Sequence, residues 1–183
     1  MTNAKPIIKN DDYREYAPAP RLPGLDPERL KGTNVNPATL LATDFLNPFN
    51  EIEMVIEMLP GIPEYYEEIV GWKPRSYCEH FARSALPHAA LALEAYDYLP
   101  EGLRELFENV VDRLNETTTR VIHSAGIALE TQDPDIIVYS CAGASAELRA
   151  LIKEAGSLIN GTALRKSQAN GASPTAVDSF FDN

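Results

Sequence analysis

From Leu103 to Leu129 apolar residues return every three or four positions, at 103, 106, 107, 110, 111, 114, 121, 122, 125 and 129, with Thr118 in the same row. A stripe sustained this long fits one amphipathic helix and does not fit a strand, whose side chains change face at every residue. Opened by Pro100 and rising about 1.5 Å per residue, the helix would span roughly 45 Å. Leu106, Val110, Leu114 and Val121 are its expected core contacts. Asp133-Pro134 then opens a second long helical run, carrying Ile137, Leu148, Leu151, Ile152, Ala155, Leu158 and Ile159 as far as Asn160. Only Thr131-Gln132-Asp133 separates the two, so they must fold back as an antiparallel hairpin. The tiny side chains from Cys141 to Ala146 permit close helix approach.

Prolines punctuate the rest of the chain at helix starts. Asn36-Pro37 is expected to open a first helical segment, and Asn47-Pro48 marks a kink in it or a second start. Ile52, Val55, Ile56 and Leu59 share one face before Leu59-Pro60-Gly61 stops the run. A short segment runs from Pro63 to Trp72, and Ser76 and Glu79 have the spacing of a capping box, which predicts a helix start. Pro87 interrupts that helix, which resumes through Leu91, Ala95 and Tyr98. No alternating apolar run flanked by hairpin turns is present, and no segment repeats. The expectation is an all-α, four- or five-helix antiparallel bundle over 36–160. Residues 1–35, with prolines at 6, 18, 20 and 23, read as an extended arm that Tyr13, Tyr16 and Leu22 could pin to the body. Residues 161–172 read as a linker, and 173–183 as a flexible terminal peptide.

The 183 residues are 44% hydrophobic, enough for one core, and the formal net charge is −11. Such an acidic chain lacks the basic footprint that nucleic acid or an anionic membrane requires, so partners with basic surfaces are expected. Cys78 and Cys141 belong to no CxxC or Cys/His cluster, and the Met-Thr-Asn-Ala-Lys-Pro start has no apolar signal core. No run approaches eighteen apolar residues. A cytoplasmic protein with reduced thiols is therefore expected. No cofactor is called for, and pairing with a second copy stays open.

The tail carries the most specific pattern. Val177, Phe180 and Phe181 stand at the spacing that puts three apolar side chains on one helical face, behind the N-cap candidate Ser173 with Pro174 at the first helical position. So short a segment holds a helix only against a partner's groove. With Asp178, these residues resemble the receiver-docking peptides of bacterial chemotaxis, found in the flagellar switch protein FliM and the phosphatase CheZ, which read roughly Ser-x-x-x-(Ile/Val)-Asp-x-Leu-Leu. Phe replaces Leu at both anchors here, and Pro174 and Thr175 replace the usual Gln-Asp. The resemblance implies docking to a CheY-like receiver through Ser173, Val177, Asp178, Phe180 and Phe181.

Catalytic chemistry is sparser. The Glu-x-x-His pairs of a di-metal bundle are absent, and His80, His88 and His123 sit on separate segments with no zinc spacing, so no metal site is expected. Hydrolysis of a receiver's aspartyl phosphate would need an amide to orient water and an acid to engage the receiver's lysine. Asp44 with Asn47 and Asp112 with Asn115 have acid and amide three apart, resembling the Glu-x-x-Asn of the CheC and CheX phosphatases. Glu105 and Asn109 have the spacing of the CheZ acid and amide, but the CheZ catalytic sequence itself is missing. On helical geometry Asp112 lies nearly opposite the apolar stripe and Asn115 on its flank. Asp44, Asn47, Asn50 and Glu51 also gather around Pro48, either as a polar pocket or as caps of the helix that follows. The function expected is a bacterial adaptor or regulator docking a CheY-like receiver. The alternatives are a receiver phosphatase and a helical bundle that binds a small molecule or metal.

Overall fold

The computed structural model describes residues 25–162 of the chain. Its frame is the expected hairpin: α5 runs over Glu101–Glu130 and α6 over Pro134–Ile159. The turn between them is closed by local chemistry. Gln132 takes a left-handed φ of 55°, and the Asp133 carboxylate accepts from the amides of Asp135 at 3.0 Å and Ile136 at 3.3 Å, covering two of the amides a helix start leaves unpaired. Arg113 pairs with Glu154 at 2.7 Å, and Arg120 pairs with Glu147 one helical interval further along, which marks the antiparallel register. Val110, Leu114, Val121 and Ala125 of α5 and Leu148, Ala155, Leu158 and Ile159 of α6 are buried between them, with Leu106 half-buried at the edge.

Helix α1, Asn47–Met58, lies antiparallel against α6 and buries Ile52, Val55 and Ile56, the face its spacing predicts; Leu59 is buried just beyond its end. Ser145 Oγ donates to Glu53 at 2.7 Å, and Arg149 engages both Glu53 and Glu57, so the two helices share one polar seam. Three shorter helices cover the remaining side: α2 over Tyr66–Ile69, α3 over Tyr77–Ala82 and α4 over Ala89–Asp97. Pro87 separates α3 from α4 as expected. The described chain is all-α, its extended pairing limited to a single bridge between Val35 and Ala42. None of its helices is long and apolar enough to cross a membrane.

Two stretches differ from expectation. Asn36-Pro37 opens a tight loop and no helix: Asn36 Oδ1 accepts from the Ala38 amide at 2.8 Å, and Leu40 turns left-handed with φ 60°. An Asn side chain that captures its neighbours' amides offers the backbone a turn in place of a helical ladder. Thr39 is buried there and donates its hydroxyl to the Ile159 carbonyl at the end of α6. The packed body also begins before Asn36. Asp26 caps a 3₁₀ turn over Pro27–Leu30, Leu30 and Val35 are buried, and Arg29 forms a two-pronged pair with Glu94 of α4 at 2.6 and 2.7 Å. Tyr13, Tyr16 and Leu22 lie outside the described residues.

Candidate functional site

The helix hairpin leaves one end of α1 and the middle of α5 to be bridged by the chain between α2 and α3. That bridge builds a cavity of about 170 Å³. Its walls come from four places: Phe45, Pro48 and Phe49 just before and at the start of α1, Gly71, Trp72, Lys73 and Arg75 in the connection, His80 in α3 and Asn115 in α5.

Local sequence explains each placement. Pro48 occupies the first turn of α1, where its missing N–H removes no helical bond, and a 3₁₀ turn over Thr43–Leu46 runs directly into it. Phe45 and Phe49 therefore project one turn apart and meet edge to face, ring centres 5.6 Å apart. After α2 the chain turns through Trp72, whose amide donates to the Ile69 carbonyl at 3.0 Å and whose ring meets Phe49 edge-on at 5.9 Å. Pro74 disfavours helical geometry at Lys73. The capping box then restarts a helix: the Glu79 amide donates to Ser76 Oγ at 3.2 Å, and the Ser76 amide donates to the Glu79 carboxylate at 2.9 Å. With the start of α3 fixed there, His80 falls in its first turns, its ring edge-on to Phe45 at 5.6 Å and to Phe81 at 4.8 Å.

Asn115 closes the site. Its Nδ2 donates to the Arg75 carbonyl at 3.1 Å, tying the connection to α5. A carbonyl only accepts, so the amide must face it with its nitrogen, which leaves Oδ1 on the other side. Asn115 Oδ1 and His80 Nε2 are both covered and without a hydrogen-bond partner among the described residues. Covering a polar atom without pairing it costs roughly 1–3 kcal/mol, so two such atoms on side chains that line one cavity are a liability unless something pairs with them. Burial and the Arg75 guanidinium hold the His80 pKa below 6.5, with Asp44 opposing, so the imidazole is neutral at pH 7. Lys73 and Arg75 form no ion pair among the described residues. In a chain of net charge −11, this wall is locally cationic.

The candidates from sequence separate in space. Asn115 belongs to the cavity, whereas Asp112 stands on the exposed side of α5, so that pair does not face one point. Asp44 binds the Asn34 side-chain amide, and Asn47 is exposed. Glu105 is exposed and Asn109 half-buried, its Oδ1 covered and unpaired among the described residues. Asn50 and Glu51 are exposed, and neither they nor Asp44 and Asn47 line the cavity, which opens on the aromatic side of Pro48. Leu46 is the N-cap residue of α1, with no side-chain cap bond, so Asn47 does not cap it. His88 and His123 are exposed and apart from His80; among the described residues no group of three or more His, Cys, Asp or Glu could hold a metal. Ser173, Val177, Asp178, Phe180 and Phe181 lie outside the described residues.

Sequence reasoning passed over Trp72, Arg75 and the two phenylalanines. A signal was there: the chain's single Trp and two cations flank Pro74 in a break just ahead of a capping box. Comparison with protein-family models, curated proteins and solved structures finds no match to this chain.

Proposed function

We propose that this chain is a small-molecule-binding helical module, and that its ligand is a single-ring compound carrying a carboxylate or similar anion. One observation carries the reading: aromatic rings, Arg75 with no ion pair among the described residues, and two side chains whose polar atoms lack partners there converge on one cavity from four separate segments. An apolar cavity of about 150 Å³ accommodates benzene, so about 170 Å³ suits one ring with a small substituent. Phe49 and Trp72 supply ring faces and edges, and Arg75 supplies a planar fork for the anion. With its Nδ2 held by the Arg75 carbonyl, Asn115 keeps Oδ1 as the acceptor for a hydroxyl or N–H of the ligand. The wall chemistry is that of recognition.

The test is a two-dimensional NMR titration of the full chain with benzoate and 4-hydroxybenzoate, and with benzylamine as the cationic control. The anionic rings are expected to shift the Trp72 indole resonance, and Arg75→Gln to weaken their binding about tenfold or more, the scale of a charge-assisted hydrogen bond. Equal binding of benzylamine, or no shift with any ring, rejects the reading.

A second reading keeps the chain as a cytoplasmic adaptor docking a CheY-like receiver. Its support is the Ser173-to-Phe181 pattern described above. The two are compatible, since a ligand-binding body and a terminal docking peptide are separate devices. The phosphatase alternative gains less from the geometry, because the amide of Asn115 is already committed to the Arg75 carbonyl.

A further inference from the structure

Helix α6 turns a second side outward, bordering the groove it forms with Arg120, Val121 and Ser124 of α5, and that side is unlike a solvated face. Tyr139 is 85% exposed and Val138 53%, and Ala142 and Ala146 follow them along the same exposed surface. The outward row of α5, by contrast, is rich in glutamate, the usual composition for a face that meets water. Arg149 borders this face but is held by Glu53 and Glu57 of α1, so the charges left to a partner stand at its two ends. At about 100° per residue, Asp135, Ala142, Ala146 and Lys153 fall on one line along the helix, with the carboxylate at one end and the ammonium roughly 27 Å away at the other. Both end charges are exposed, and neither forms an ion pair among the described residues.

That arrangement is its own complement when reversed. If a second copy of α6 is laid antiparallel across the first, about a twofold axis between Ala142 and Ala146, each Asp135 meets the Lys153 of the other copy. Ala142 then faces Ala146 at the centre, where small side chains let the axes approach closely. Tyr139 and Val138 lose their exposure on both copies at once, as a self-complementary twofold interface requires. The helix dipoles also oppose favourably in this direction. A parallel pairing sets Asp135 on Asp135 and Lys153 on Lys153, so the charges select the antiparallel one. We propose that the outward face of α6 is the interface of an antiparallel homodimer, in which Asp135 and Lys153 fix the register.

Sedimentation equilibrium of the full chain over a range of concentrations tests this, with circular dichroism confirming that each variant is folded. The native chain is expected to dimerise, and Ala146→Glu, which places a charge at the close crossing, to leave it monomeric. Asp135→Lys alone and Lys153→Asp alone each set like charges together at both ends, and each is expected to weaken the dimer about tenfold or more. The chain carrying both changes restores opposite charges and is expected to recover the native association. A native chain that stays monomeric overturns the proposal, as does a dimer that Ala146→Glu leaves intact. Failure of the double variant to outperform the single ones rejects the antiparallel register.

Discussion

His80 stands between Phe45 and Phe81 with the Arg75 charge beside it, an environment that disfavours the imidazolium ion. The consequence for pH has a definite sign. Above pH 6.5 the side chain is neutral in both the folded and unfolded chain; as the pH falls below that value the unfolded chain takes up the proton first and the folded chain resists, so stability drops until the lowered folded pKa is passed. Asp44 reduces the effect and Arg75 adds to it. The melting temperature is therefore expected to fall between pH 7 and 5, and His80→Phe to flatten part of that decline. A decline just as steep in the variant would assign it to other groups. Asn115 makes a related point about legibility. Its position on the flank of the α5 stripe could be read from the sequence, but its bond to the Arg75 carbonyl could not, since 40 residues separate the partners.

Whole elements were legible wherever a signal acts over four or five residues. Ser76 and Glu79 make the capping box their spacing predicts, Asp133 caps α6, and Gly161 ends it with a left-handed φ of 67°. Asn36-Pro37 misled because Asn before Pro serves a turn as well as a helix start, and only the bond from buried Thr39 to the end of α6 selects the turn. The cap at Ser76 also orients the site, because it fixes where α3 begins and hence where His80 points. Ser76→Ala is expected to destabilise the chain by about 0.5–2 kcal/mol and, in the same protein, to weaken binding of the anionic ring while leaving the α5–α6 hairpin folded. Denaturant titration gives the first quantity and calorimetric titration the second. A stability loss with unchanged affinity would detach the cap from the cavity.

The body over residues 25–162 closes its own core, since Thr39 seals the end of α6 and Leu158 and Ile159 are buried beneath it. Removing 163–183 is therefore expected to leave the melting temperature unchanged and, under the adaptor reading, to abolish binding to a CheY-like receiver. Thermal melts of both chains, beside a titration of the isolated 173–183 peptide against phosphorylated and unphosphorylated receivers, measure the two effects. A lower melting point with no receiver binding would make the tail part of the fold instead. The all-α architecture and the hairpin of α5 and α6 follow from local patterns, a 3.6-residue stripe, a proline start and a three-residue turn, that tertiary contacts had only to accept. The cavity, by contrast, exists only once the segments have packed together. Phe49, Trp72, His80 and Asn115 come from four segments, and whether they meet depends on how α1, the connection and α3 settle on the hairpin, a long-range outcome that no local period encodes.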